Sequence, residues 1–452
     1  MVKEAVDTDP DAGNAWFRAM AMQLERSEKI SPERMTAFSR ALLSDLLLHA
    51  TGNIPWYRER LKPVLLTDGT IDLAGWAEVP ILTRADVIAH GEEMRTGAFP
   101  ATHAPVIHQE TSGSTGTPIV VLQTRLHQQM WSQMTARMHR WHGFDYAKDF
   151  ASIDTFTADR AVWPLGSYGS GWIARPLGPA EPGLHYVLNM NTPVDRQVEW
   201  LLRMKPAYLR GFSVTLRTIA EHLRDHPEPA LRLEGAMSYA GMLTPDTREV
   251  IHAGLGCEPA DCYSSVECGY IGLQCPDCLS LLVQSEVCFV EVLKDDGTPC
   301  GVGETGRVIV TPLHNLAQPL IRYQLGDLAT VGSPCGNGLP YPVLSRVLGR
   351  ARNVFRFPGG RVVQPELKTK TFMHYLKPRH WQVAQVAPMR IEIRVVPTVD
   401  SSRMDFEGMT AYARQALGLP ELAVDYRLLD KPPITGAGKH EDYVFEIPLK
   451  EA

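Results

Sequence analysis

Thr111-Ser-Gly-Ser-Thr-Gly-Thr-Pro118 decides how the chain is read. The residues before it, Ala104 to Glu110, mix apolar and polar side chains, and Ile119 to Leu122 after it are continuously apolar, so both flanks predict short strands and the eight residues the loop of a hairpin. Gly113 and Gly116 admit backbone angles and close approaches that side chains block. Around them stand hydroxyls and backbone N–H groups without bulk, a donor set suited to phosphate oxygens. No Gly-x-x-x-x-Gly-Lys-Ser/Thr pattern is present, which disfavours a Walker-type nucleotide fold. Taken alone, the stretch reads equally well as a flexible Ser/Gly linker.

The chain is 452 residues long, beyond the size at which a single core keeps growing, so at least two domains are expected. Its net charge of -6 argues against nucleic acid or an anionic membrane as partner. No apolar run approaches a membrane span, and the acidic start, Met1 to Pro10, has no signal-peptide core, so a cytoplasmic location is expected. Five of the eight cysteines fall between Cys257 and Cys278, a clustering that in a reducing compartment favours metal or free thiols over disulfides.

Apolar residues at three- and four-residue intervals predict helices over 15–28 and 32–49. Thr83 is placed to cap a short helix, and Thr244 the helix that begins at Pro245. From 104 to about 348 strand-like stretches (149–156, 207–212, 234–240) alternate with helical ones (128–141, 194–202, 214–224, 245–253), which predicts a layered α/β core with functional loops at the carboxyl edge of a sheet. The glycine- and aromatic-rich stretch 163–172 reads as a loop. Past Gly349-Arg350 the composition changes, and a small α+β unit is expected. The fold class is therefore α/β, with a large N-terminal domain over 1–348 and a small, mobile C-terminal one over 349–452.

Four further motifs follow the loop in order: Tyr263-Ser-Ser-Val-Glu267, Arg322-Tyr-Gln-Leu-Gly-Asp327, Gly349-Arg350 and Pro433-Ile-Thr-Gly-Ala-Gly-Lys439. Together they resemble the adenylate-forming enzymes, which include acyl-CoA ligases and peptide adenylation domains. The stretches His49 to Arg60 and Pro80 to Asp86 look like the phenylacetate-CoA ligase branch. That resemblance implies ATP-dependent conversion of a carboxylic acid to an acyl-adenylate, release of pyrophosphate, and transfer to coenzyme A. It equally admits a carrier-protein thiol or an amine as acceptor, and a homologue that binds nucleotide without catalysis. Branch members often pair as homodimers, although no heptad argues it here.

The chemistry brings two anions together, so the protein must supply position and positive potential. By resemblance, Thr111, Ser112, Gly113, Ser114, Thr115, Gly116 and Thr117 hold the ATP phosphates, and Glu267 holds Mg²⁺. Tyr263, with Ser264 and Ser265, faces the adenine, Asp327 takes the ribose hydroxyls, Arg350 reaches ribose or phosphate, and Lys439 bridges the acid and the α-phosphate. Arg352 falls at the hinge, where relatives usually carry Asp or Lys. The plain rivals are a packed Tyr263, a turn Asp327 and a solvated Lys439.

The acid pocket is expected among Trp163, Tyr168, Gly169, Gly171, Trp172, Phe212, Tyr239, Ala240, Gly241 and Cys268, whose aromatic members suit an aryl or heteroaryl acid. The tryptophans read equally well as core. Cys275-Pro-Asp-Cys278 has half a zinc-site spacing, which Cys335 would extend. Cys268, Cys257 or Cys262 is the candidate fourth ligand, and buried free thiols are the alternative.

Overall fold

The computed structural model describes residues 10–110, 119–157, 159–172, 182–350, 354–363, 365, 367, 369–431 and 442–447. Two compact units divide the chain. The larger comprises Met1–Gln109, Val120–Leu325 and Ala329–Val347; the smaller comprises Glu110–Ile119, Gly326–Leu328 and Leu348–Ala452.

The larger unit opens with helices α1 (Pro10–Ser27), α2 (Pro32–Asn53), α3 (Pro55–Arg60) and α4 (Arg84–His90). Ser31 caps α2, accepting from Arg34 N at 3.3 Å, and Pro32 takes the first turn, where its missing N–H costs nothing. Thr83 caps α4 as the sequence predicts, and Asp86 completes a reciprocal capping box with it, with bonds of 2.8 and 3.2 Å. Strands β1 (Val106–Glu110) and β2 (Val120–Thr124) pair as a two-stranded sheet, and α5 (Arg125–Trp141) follows directly, capped by Thr124.

The α/β alternation runs β3 (Phe150–Asp154), β4 (Ser167–Ser170), β5 (Leu184–Asn189), α6 (Val194–Met204), β6 (Tyr208–Phe212), α7 (Ser213–Asp225), β7 (Gly235–Tyr239), α8 (Pro245–Leu255) and β8 (Pro259–Ala260). Among the described residues these strands make one sheet in the order β4-β5-β3-β6-β7-β8, parallel except for β4. The stretch 163–172 thus contains an edge strand rather than loop alone: Tyr168 pairs with Tyr186. Glycine content hid it, because an edge strand needs only one partner and little side-chain packing.

One face of this sheet packs on helices. Ile153, Leu209 and Ala236 from the strands meet Trp200 and Leu201 of α6, Leu216 and Ile219 of α7, and Ile251 of α8, all fully buried. Each large apolar side chain sealed in this way contributes about 1.5–3 kcal/mol.

A second sheet follows: β9 (Cys262–Ser265), β10 (Gly269–Gln274), β11 (Leu281–Val283), β12 (Cys288–Leu293), β13 (Thr305–Pro312), β14 (Tyr323–Val331) and β15 (Val343–Arg350), in the order β12-β13-β14-β15-β11-β10-β9. A buried ion cluster ties the N-terminal helices to it. Arg137 on α5 donates to Leu24 O (3.0 Å), Gln284 Oε1 (2.7 Å) and Glu286 Oε1 (2.9 Å); Ser27 and Tyr341 donate to the same Glu286 oxygen at 2.6 and 2.7 Å.

The smaller unit holds β16 (Phe355–Phe357), β17 (Arg361–Val363), α9 (Thr369–Tyr375), β18 (Pro378–Ala387), β19 (Arg390–Pro397), α10 (Phe406–Leu417), β20 (Ala423–Leu428) and β21 (Tyr443–Phe445). The alternation over 381–396 is an antiparallel hairpin, β18 against β19, in a sheet ordered β20-β19-β18-β21. Its core stacks Phe372 on Trp381 at 4.0 Å around Val383, Ile391 and Ile393. α10 starts at the Asp405 cap and stops at Gly418 in the left-handed region, a conformation glycine adopts without strain.

Candidate active site

Because β3, β6 and β7 are parallel neighbours, their last residues share one edge. Asp154 ends β3, Phe212 ends β6 and Tyr239 ends β7. Phe212 and Tyr239 pair across the ladder with ring centroids 4.7 Å apart. Ala240 turns the chain away with φ +53°, a left-handed conformation that side chains disfavour. A Cβ at Gly241 would collide with Ser213 Oγ, so any larger residue would force that hydroxyl to turn away where the loop passes the start of α7. Four of the expected pocket residues, Phe212, Tyr239, Ala240 and Gly241, thus come together at the edge where open α/β sheets bind ligands.

Trp172 does not join them. It packs tilted on Phe150 (4.7 Å) and edge-on against Tyr208 (5.4 Å), the first residues of β3 and β6, and its Nε1 donates to Lys148 O at 3.0 Å. It therefore closes the amino edge of the sheet with Phe144, Tyr146 and His139. Trp163 packs against the helix-side core, its ring under the Arg196 guanidinium at 4.6 Å. Tyr168 is 74% exposed on the edge strand β4, next to Gly169. The sequence reading placed these residues in the pocket because aromatic content does not tell which end of a strand a residue meets.

Tyr263, Ser264 and Ser265 lie on β9, and Glu267 and Cys268 in its turn to β10. Tyr263 is buried opposite Gly272, and Ser265 Oγ accepts from Cys268 N at 3.1 Å, fixing the turn. Gln123, fully buried on β2, donates from Nε2 to Val266 O at 2.6 Å, pinning the same turn from outside. Glu267 is 5% exposed, with Arg84 Nη1 3.8 Å from its Oε1. Burial, reinforced by the Glu267 charge, pushes the Tyr323 phenol well above its usual range.

Arg84 is a residue that functional reading of the sequence missed. Leu82 bridges in parallel to Tyr323, with Leu82 N to Arg322 O and Gln324 N to Leu82 O both at 2.9 Å. The capping box then fixes Arg84 as the first residue of α4, beside Glu267. The signal was present in Pro80-Ile-Leu-Thr-Arg-Ala-Asp86, which reads as a branch likeness and a helix start without giving Arg84 a role. Arg322 is structural: 3% exposed, it pairs with Glu291 at 2.9 Å and donates to Ala77 O at 3.0 Å. Asp327 lies half-buried on β14, after Gly326 at φ +82°, within the stretch that falls to the smaller unit. The loop Thr111 to Pro118, the Arg350 side chain, Arg352 and Lys439 lie outside what the structure describes.

Cys275 and Cys278, in the turn after β10, meet Cys335 from the loop between β14 and β15, with all three sulfurs within 4.8 Å of one another. Sγ of Cys335 is 3.4 Å from that of Cys275 and 3.1 Å from that of Cys278, and Asn337 Nδ2 lies 3.0 Å from Cys275 Sγ. Three thiols at this spacing fit one tetrahedral ion with Zn–S bonds of about 2.3 Å. Cys268 is not among them. All six residues of β10 separate it from Cys275, roughly 20 Å of extended chain. It lines a small interior gap with His127, Trp131 and Tyr270 instead. Cys257 and Cys262 also stand outside the group: Cys257 packs in the helix-side core, and Cys262 faces Ser238 O at 3.6 Å.

No family model matches the chain. It is 24% identical over 408 residues to the phenylacetate-coenzyme A ligase of Thermus thermophilus, covering 86% of this chain and 84% of that one. To the enzyme of the same name from Escherichia coli it is 23% identical over 371 residues, covering 80% and 81%. The solved structure of 2-hydroxyisobutyryl-CoA ligase in its postadenylation state superimposes with a TM-score of 0.69 at 16% identity, over 94% of this chain and 92% of that one. The fold is that of the adenylate-forming acyl-CoA ligases. By sequence, the chain is phenylacetate-CoA ligase-like.

Proposed function

We propose that this chain is an AMP-forming acid–CoA ligase. It activates a carboxylic acid with ATP, releases pyrophosphate, and passes the acyl group from the adenylate to coenzyme A. The observation that carries this is the coincidence of that fold with sequence likeness to two CoA ligases over at least four-fifths of the chain. The aromatic edge formed by Phe212 and Tyr239 supports an aryl or heteroaryl acid.

The chain's own residues divide the work. The acid lies against the carboxyl edge of the first sheet, which orients its carboxylate. Tyr263 packs against the adenine, and Asp327 accepts from the ribose hydroxyls. The loop Thr111 to Thr117 surrounds the phosphates. Lys439, in the part of the chain from 349 onward, brings positive charge to the meeting point of the two anions. Glu267 is the carboxylate that would hold Mg²⁺; a single buried carboxylate suits a cation that keeps waters and phosphate oxygens as its other ligands. When bound, the ion neutralises phosphate charge. Arg84 steadies the Glu267 carboxylate. Cys275, Cys278 and Cys335 would hold a structural zinc, which locks the β10–β11 turn to the β14–β15 loop.

ATP–pyrophosphate exchange over a panel of aromatic acids tests the first half-reaction. Adding coenzyme A, a carrier protein or an amine to the same mixture tests the acceptor. Thioester formation with coenzyme A alone is the expected result; transfer only to the other acceptors would refute it.

A further inference from the structure

Three polar side chains from three adjacent strands converge at the carboxyl edge of the first sheet. Arg210 Nη2 donates to Asp154 Oδ2 at 2.5 Å, and the Tyr239 hydroxyl donates to Asp154 Oδ1 at 2.5 Å. The Arg210 guanidinium lies over the Tyr239 ring at 4.6 Å. This edge also carries Phe212 and the left-handed turn at Ala240.

The cluster is neither sealed nor complete. The Arg210 and Asp154 side chains keep 19% and 24% of their exposure, so the pair faces an opening. Arg210 Nε, by contrast, is buried and without a hydrogen-bond partner. A carboxylate has about four acceptor sites and three are filled here, by Arg210 on Oδ2 and by the Tyr239 hydroxyl and Thr155 N (2.8 Å) on Oδ1, which leaves one on Oδ2; a guanidinium has five donors, and Nη2 is the nitrogen that donates to Asp154. The cluster therefore offers donors and an acceptor side by side, with its two charges cancelling.

We propose that this cluster is the far end of the acid subsite and selects an aryl carboxylic acid carrying a hydroxyl group on its ring. A hydroxyl accepts from Arg210 and donates to Asp154 at once. A ring amine is neutral at pH 7 and, with its lone pair delocalised into the ring, accepts poorly from Arg210, whereas a second carboxylate would meet Asp154 with like charge. The Tyr239 and Phe212 rings supply the flat walls for the aromatic ring. The proposal rests on the acid-activating function set out above and names the substrate class of that site.

The test is ATP–pyrophosphate exchange with hydroxyaryl acids and with their unsubstituted, amino and dicarboxylic counterparts. A site built to bond a substrate hydroxyl rejects the analogue lacking it by large factors; for a partly open cluster the expected preference in kcat/KM is on the order of 100-fold. Arg210→Met should abolish that preference, mainly by lowering kcat/KM for the hydroxy acid, and Tyr239→Phe, which keeps the ring, should weaken it. Equal kcat/KM for hydroxylated and plain acids, or a preference for the amino or dicarboxylic series, overturns this proposal alone. Exchange with no acid at all overturns the adenylation function and this proposal with it.

Discussion

Trp172 and Phe212 lie at opposite edges of the same parallel sheet. Trp172 packs against the first residues of β3 and β6, whereas Phe212 is the last residue of β6. Five residues of strand put the two ends roughly 13 Å apart. Trp172 thus serves stability, and Phe212 is the one proposed to meet the acid. Trp172→Ala should cost about 3–5 kcal/mol in urea unfolding and leave the ranking of acids unchanged. Phe212→Ala should shift the acid KM with a smaller loss of stability. An altered acid ranking in the Trp172 variant would contradict this division.

Arg137 and Glu286 bind three separate segments into one unit. Burial alone would raise the Glu286 carboxyl, but Arg137, Ser27 and Tyr341 outweigh it and hold the group below its usual range. Arg137→Met leaves a buried carboxylate uncompensated, and a loss of about 3–5 kcal/mol is expected. Arg137→Met combined with Glu286→Gln should recover part of it. A double-mutant cycle in urea measures the coupling; additive losses would contradict it.

Stability should fall on mild acidification. Burial pushes His127 and His139 down to about 3 and His185 to about 4, so all three are neutral in the fold at neutral pH. The unfolded chain binds protons near pH 6.5, and the folded chain does not until far lower. Their contribution is therefore complete above about pH 6.5 and is lost as pH falls toward 4, by up to about 1.4 kcal/mol per pH unit for each group. Urea unfolding at pH 7.5, 6 and 5 checks the slope; equal stability at all three would contradict it.

Zinc should copurify at about one ion per chain when chelators are avoided. Cys278→Ser should lower that content, and Cys268→Ser should leave it unchanged, because β10 holds Cys268 away from the other three sulfurs. Elemental analysis of the variants decides it. Loss of zinc in the Cys268 variant would contradict the geometry.

The sequence reveals periodic and capped elements well. The Thr83 and Thr244 caps, the strands ending at Phe212 and near Tyr239, and the helix at Phe406 all carry local signals that the fold obeys. Facing and distance are harder to read. Trp163 and Trp172 look like pocket walls by composition, and only the direction of the parallel strands separates them from Phe212 and Tyr239. Arg84 and Glu267 lie 183 positions apart, and their meeting depends on Leu82 bridging to Tyr323, a long-range pairing with no sequence signature. Cys335 is legible as a partner of Cys275 and Cys278, but the choice of a fourth ligand depends on the length of a strand.

The most direct measurement of the central claim is acid-dependent ATP–pyrophosphate exchange by the wild-type chain and its Glu267→Gln and Lys439→Ala variants. Exchange that requires both acid and Mg²⁺, and that drops in each variant by on the order of 10²-fold or more, is the predicted result. Full exchange in both variants, or none in the wild type with any carboxylic acid, would contradict it.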